Sequence, residues 1–153
     1  MDKQHQIVII GGGTAGIMTA TQLLKKNASL DIAIIDPAET HYYQPAWTLV
    51  GAGAYDYKNT ARSMASLIPK SVTWVKDFVT SFQADEHTID TENSGKIGYE
   101  FLVVAPGLVM DPSLIEGLTE AMEKGIVCSN YTNPEHTWET IKNFKGGNEL
   151  FTQ

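Results

Sequence analysis

Apolar positions along the chain change their spacing at a few sharp points. Residues 7–10, IVII, form an unbroken β-branched run that breaks directly into GGGTAG at 11–16. Such a run predicts a strand buried on both faces. In residues 14–27, Ile17, Met18, Thr21 and Leu24 recur at helical spacing, with Lys25 and Lys26 near the negative end of the predicted helix. Residues 30–35 form a second apolar run, interrupted only by Asp31 and ended by Asp36-Pro37, where proline cannot join a ladder. Strand, helix and strand make one βαβ unit, parallel and right-handed.

Residues 38–57 read as irregular but rich in aromatics, with Tyr42, Tyr43, Trp47, Tyr55 and Tyr57 among Gly51 and Gly53. That composition points to a cavity lining rather than a linker. Residues 59–68 predict a short helix stopped by Pro69. Residues 72–84, 87–91 and 97–104 predict three strands, separated by turns at Asp85-Glu86 and Asn93-Ser94-Gly95. Together they predict an antiparallel meander whose last strand rejoins the parallel sheet. Residues 101–104 are fully apolar, as for a strand buried on both faces, and stop at Ala105-Pro106-Gly107. Two helices are predicted over 114–124 and 135–144, with Asn133 and Pro134 as N-cap and first helical residue and Gly125 and Gly146 as stops. Residues 150–153 read as the start of another strand. The fold class is α/β: a Rossmann-like βαβ unit with a parallel sheet and an antiparallel meander.

Composition narrows the function. With 153 residues, 42% hydrophobic and 19% charged, the chain has the length for one core, and two complete domains would be crowded. A net charge of -7 with 11 scattered basic residues argues against nucleic acid and against an anionic membrane surface as partners. The N-terminal apolar run of four residues is too short for a signal peptide or a membrane span, so a cytoplasmic location is expected. The single cysteine, Cys128, excludes an internal disulfide and a Cys-only metal site. His5, His41, His87 and His136 show no metal-ligand spacing.

The chemistry concentrates at the first turn. Gly11, Gly13 and Gly16 stand at GxGxxG spacing. Gly11 permits the tight turn off a buried strand, Gly13 lets backbone approach a pyrophosphate, and Gly16 lets the helix pack close to the sheet. The helix N-terminus then faces the diphosphate with free N–H groups and a positive dipole. Asp36, twenty residues after Gly16 at the end of the second strand, is placed to accept both ribose hydroxyls. Its charge would repel a 2′-phosphate, so FAD or NAD fits better than the phosphorylated nicotinamide cofactor. The plainer role for Asp36 is a turn-forming acid before Pro37.

The order βαβ, meander, and a strand ending in Ala105-Pro106-Gly107 resembles the two-dinucleotide-binding flavoproteins, in which such a turn, here Ala105 and Gly107, lies near the flavin; this favours FAD. The string HYYQPAWTLVGAG at 41–53 is more specific. It closely resembles sulfide:quinone oxidoreductases, particularly the branch that includes the mitochondrial enzymes. The resemblance continues through IPKSVTWVKDFVT, SNYT and FKGGNELFT, almost the whole chain. It implies that Thr14 and Ala15 contact the pyrophosphate, that Asp36 holds the adenosine ribose, that Gln44 lies near the cofactor and that the Val79 backbone meets the adenine. A solvated loop amide and a core valine are the plainer roles for Gln44 and Val79; Tyr42, Tyr43 and Trp47 could pack beside the cofactor, with core packing the plainer role for at least two of them.

In that family, sulfide attacks a cysteine disulfide or related bridge, leaving a persulfide, and two electrons pass through FAD to a quinone. This needs at least two cysteines. Cys128 reads as a buried, inert thiol, with a catalytic role as the minor alternative. The resemblance implies that the chain is the N-terminal portion of such an enzyme, incomplete relative to the family fold and inactive alone: residues 1–110 of an FAD-binding domain, and 111–153 leading into a second, NAD-binding-like domain. Sulfide and quinone would then be partners of the parent protein, which would lie peripherally on the cytoplasmic face of the inner membrane while this chain makes no membrane contact. The rival readings are a fragment of a flavin-dependent NADH dehydrogenase and a stand-alone nucleotide-binding module.

Overall fold

A computed structural model describes residues 3–151. Its strands are β1 (Lys3–Ile10), β2 (Ile32–Ile35), β3 (Thr40–Tyr42), β4 (Ala61–Ser63), β5 (Thr73–Val75), β6 (Val79–Gln83), β7 (Thr88–Thr91) and β8 (Lys96–Val104). Its helices are α1 (Thr14–Lys26), α2 (Trp47–Gly51), α3 (Met64–Leu67), α4 (Leu118–Glu123) and α5 (Pro134–Asn143). The chain divides into two compact units. One takes residues up to 41 together with 62–108, the other 42–61 and the chain from 109 onward.

The first unit is built on a six-stranded sheet in the order β5-β2-β1-β8-β7-β6. β1 pairs in parallel with β2, Ile9 opposite Ile34, and with β8, Ile9 opposite Val103. β6, β7 and β8 are antiparallel, which is the predicted meander. Continuous apolar runs in β1 and β2 follow from cover on both faces. Ile7, Ile9, Ile32 and Ile34 meet α1 through Ala20, Ile17, Leu23 and Leu24. Val8, Ile10, Ala33 and Ile35 meet Ile89, Ile97 and Tyr99 of the meander.

Several sequence expectations need correction. Residues 72–84 are two strands, because the chain turns at Asp77. This buried carboxylate accepts the backbone N–H of Phe78 at 2.8 Å, of Asn93 at 2.9 Å and of Ser94 at 2.6 Å, and the Asn93 side-chain amide at 3.2 Å. β5 therefore joins β2 in parallel while β6 joins β7. Residues 59–68 are not one helix: a 3-10 turn over Tyr57–Thr60, capped by Asp56, leads into β4 and only then into α3. Residues 101–104 are not buried on both faces. β7 pairs with β8 only as far as Gly98, and beyond it Phe101 is 63% exposed and Val104 54%.

In the second unit, residues 42–57 are more regular than expected, with a 3-10 turn over Gln44–Ala46 running into α2. Tyr42, Trp47 and Tyr57 form a ring cluster with centroids 5.5 to 5.9 Å apart, and the Trp47 indole N–H donates to Thr60 Oγ1 at 3.3 Å. The expected helix at 114–124 is reduced to α4, because a 3-10 turn over Pro112–Leu114 and Gly117 at φ 78° interrupt it. α5 starts at Pro134 as predicted, and the Asn133 side chain accepts the His136 N–H at 3.1 Å. Residues 150 and 151 are irregular, and 152–153 of the expected strand lie outside the described residues. Among the described residues no helix is long and apolar enough to cross a membrane.

Candidate functional site

The site in the first unit is made by the C-terminal ends of β1, β2 and β8. Gly11 N–H donates to the Ile35 carbonyl at 2.9 Å and Ala105 N–H to the Ile10 carbonyl at 2.8 Å, which draws the three strand ends together. Gly11 has φ 100°, and a Cβ there would fall inside the Ala105 carbonyl oxygen. Both conformation and space therefore require glycine. At Gly16 a Cβ would overlap the Gly11 carbonyl oxygen and press on Ile9 at 3.3 Å, so the missing side chain sets how close α1 lies to the sheet.

Gly13 differs from both. A Cβ on it would meet nothing within 4 Å, and its backbone is the N-cap of α1 with no side-chain cap. The open space lies at the helix mouth, where the first N–H groups, those of exposed Thr14 and Ala15 included, have no acceptor within the helix. No acid occupies the first turn, and Lys25 and Lys26 occupy the last. The arrangement suits an incoming anion with at least two oxygens, such as a diphosphate.

Asp36 stands beside this mouth, half-buried. Its Oδ2 accepts the Gly12 N–H at 2.6 Å and its Oδ1 accepts the Ala38 N–H at 2.7 Å. An ionised carboxylate has about four acceptor positions, so about two stay available for a vicinal diol. Three neighbours were not legible from the motif. The Trp74 indole N–H donates to the Asp36 carbonyl at 2.9 Å, the Asp36 N–H donates to the Val75 carbonyl at 3.1 Å, and Met64, 2% exposed, supports Gly12 from within the core. Trp74 and Met64 fall outside any glycine fingerprint; the only trace of them in the sequence is that both are apolar residues in or beside short apolar runs. Next to them, the Lys76 ammonium donates to Glu39 at 2.8 Å and holds that carboxyl below its usual range through the hydrogen bond and its charge.

The remaining expected site residues divide between the units. Ala105 is half-buried against Gly11, and Gly107, two residues on, is exposed at φ 78° with open space around it. Val79 begins β6 opposite Thr91 and is packed against the core of Ile89 and Ile97. Gln44 and Cys128 belong to the second unit. Gln44 is exposed and its carbonyl accepts the Trp47 N–H; Cys128 is a half-buried free thiol between α4 and α5. The structure thus brings together Gly11, Gly13, Thr14, Ala15, Gly16, Asp36 and Ala105.

Part of the string at 41–53 is explained within the second unit, which begins at Tyr42. A Cβ on Gly51 would overlap the Asn130 side chain, and one on Gly53, at φ 71°, would enter the Trp138 ring. α2 therefore packs closely on the segment that leads into α5. Val50, Gly53, Tyr55 and Tyr57 line an open groove of about 490 Å³ with Glu135 and Trp138, so part of the aromatic stretch does line a cavity.

Residues 5–143 match the family described as pyridine nucleotide-disulphide oxidoreductase. The mitochondrial sulfide:quinone oxidoreductase of Mus musculus is 39% identical over 152 residues, which is 98% of this chain and 34% of that protein. Its Dictyostelium discoideum counterpart is 44% identical over 151 residues, 96% of this chain and 33% of that protein. Among solved structures, the sulfide:quinone oxidoreductase of Aquifex aeolicus superposes with a TM-score of 0.72 at 30% identity, covering 92% of this chain and 31% of the other. The chain spans about a third of the length of these relatives. A type II NADH:quinone oxidoreductase of Staphylococcus aureus is 30% identical over 120 residues, 76% of this chain. With the glycine turn, the acid at the end of β2 and the meander all in place, the chain belongs to the pyridine nucleotide-disulphide oxidoreductase family.

Proposed function

We propose that this chain is the N-terminal, FAD-binding portion of a sulfide:quinone oxidoreductase. The observation that carries the reading is identity of 39% and 44% to two enzymes of that name across nearly the whole chain. It is joined to a site whose open helix mouth and ribose-side acid suit the adenosine diphosphate half of a dinucleotide. Bound FAD would supply two-electron transfer between sulfide and quinone. This chain's own contribution is binding: α1 presents N–H groups to the diphosphate, Asp36 accepts from the ribose, and Ala105 closes the turn beneath it. Persulfide chemistry needs two cysteines and this chain carries only Cys128, so the chain alone binds and does not turn over.

Two assays test this. The purified chain with FAD, sulfide and a short-chain quinone should show no quinone reduction; sustained turnover would contradict the fragment reading. In a protein of the relatives' length carrying this chain at its N-terminus, anaerobic sulfide should bleach the visible flavin absorbance and NADH should not. The opposite pattern would favour the NADH:quinone oxidoreductase reading, which the Staphylococcus aureus similarity supports over a shorter span.

A further inference from the structure

We propose that Trp74 is a positioning residue for the dinucleotide's ribose, acting through Asp36; the inference rests on the ribose role of Asp36 proposed above. Asp36 follows the last residue of β2 and precedes Pro37, so β2 does not fix the aim of its carboxylate. Four hydrogen bonds do. Gly12 and Ala38 N–H groups hold the two carboxylate oxygens at 2.6 and 2.7 Å, and the main chain is held on both sides, its N–H by the Val75 carbonyl at 3.1 Å and its carbonyl by the Trp74 indole at 2.9 Å. Only the last of these comes from a side chain, thirty-eight positions away in sequence.

Trp74 is well placed to act as a fixed point. Its backbone lies in β5 opposite Ile34 of β2, its ring packs on the core of Ile9, Ile32 and Met64, and the Lys76 ammonium sits 4.5 Å from the ring centroid. The indole N–H is a donor only, so its one hydrogen bond is committed to the Asp36 carbonyl. The Asp36 carbonyl lies just past the end of β2 and accepts from the Trp74 indole, and without that donor the segment can turn about the Asp36 ψ. That rotation would carry Pro37 and Ala38 with it, so the Ala38 N–H would leave the carboxylate Oδ1 and free the side chain to turn away from the helix mouth, without emptying any of the core.

The test uses the whole chain and two probes, ADP and 2′,3′-dideoxy-ADP, titrated by NMR. Trp74→Phe keeps the ring in the core and removes the donor. It should weaken ADP binding about threefold to tenfold, the range expected for one hydrogen bond, and leave 2′,3′-dideoxy-ADP nearly unchanged. A general structural defect would weaken both probes alike, and that result would overturn the proposal, as would unchanged ADP affinity. Asp36→Asn separates the two levels. If it leaves ADP affinity intact, the ribose reading of Asp36 fails; if it weakens ADP while Trp74→Phe does not, only the positioning role fails. Should Trp74→Phe not fold, the indole N–H resonance in the unmodified chain decides. Saturating ADP should shift it and slow its exchange with solvent, and a resonance that ADP leaves unmoved would overturn the proposal.

Discussion

The glycine turn of the first unit and the Gly51 to Gly53 stretch of the second use the same residue for opposite ends. At Gly53 the absent side chain is filled by the protein itself, through the Trp138 ring, and at Gly51 by Asn130. In the first turn, Gly11 and Gly16 are likewise filled, by the Ala105 and Gly11 carbonyls, but Gly13 opens onto space that no protein atom takes. Carboxylates divide in the same way. Asp77 accepts four hydrogen bonds from its own chain, whereas Asp36 accepts two and has capacity left. Open space at Gly13 and spare acceptor capacity at Asp36 occur side by side at the mouth of α1, and that pairing, which residue type alone does not reveal, marks the candidate site.

The sharpest way to break that distinction is Gly11→Ala. The substitution combines a left-handed φ of 100° with overlap on the Ala105 backbone, neither of which a rotamer change relieves. It should destabilise the first unit by more than about 3 kcal/mol, read from denaturant unfolding. A loss under about 1 kcal/mol would mean that the β1 and β8 ends are not locked together as described.

Asp77→Asn should come next. Burial works to raise the Asp77 pKa, but the hydrogen bonds from Ser94, Asn93 and Phe78 outweigh it and hold the carboxyl well below the ordinary carboxylate range. A group ionised more easily in the folded than in the unfolded state stabilises the fold above its unfolded value, about 3.9 for Asp, and that stability is lost as the pH falls below it. The melting temperature of the unmodified chain should therefore drop on acidification from about pH 5 downward. Asp77→Asn should melt lower at pH 7 and show a shallower drop. Equal slopes in the two proteins would remove Asp77 as a source of acid sensitivity.

How much of this was legible in the sequence depends on which interaction decides each element. β1, α1 and β2 were readable because local pattern and tertiary burial agree there: the IVII and IAII runs are buried on both faces and the three glycines sit where a turn must form. The break at Asp77 was not readable, because it depends on N–H groups of Asn93 and Ser94, which are distant in sequence. Trp74 and Met64 were missed at the site for the same reason. The exposure of Phe101 was missed because an apolar run predicts burial, and where β7 stops pairing is not written in β8. HYYQPAWTLVGAG pointed to a family without a physical reason; Gly51 against Asn130 and Gly53 against Trp138 supply part of one.

A smaller effect is expected in the second unit. Gly53→Ala places a methyl at φ 71° against the Trp138 ring, a side chain with some freedom to yield. The cost should be about 1–3 kcal/mol. Hydrogen exchange should show it as faster opening of α2 and α5, with the amides of β1 and β2 unaffected. Protection lost equally in both units would show that the two regions unfold as one.

Gly13→Ala should have the least effect on stability and the clearest effect on binding. Its φ of -73° suits alanine, the Cβ meets nothing, and glycine itself provides no side-chain cap to lose, so stability should change by less than about 1 kcal/mol. The methyl would nevertheless stand in the mouth of α1, where a diphosphate must approach backbone N–H groups to hydrogen-bond distance. ADP affinity should then fall about tenfold or more, an energetic loss of about 1.4 kcal/mol or greater confined to the complex. This combination is the opposite of Gly53→Ala, which should cost stability and leave ADP affinity alone. If Gly13→Ala bound ADP as well as the unmodified chain does, the open space at the helix mouth would be only a surface feature, and the separation between filled and unspent glycines would lose its functional meaning.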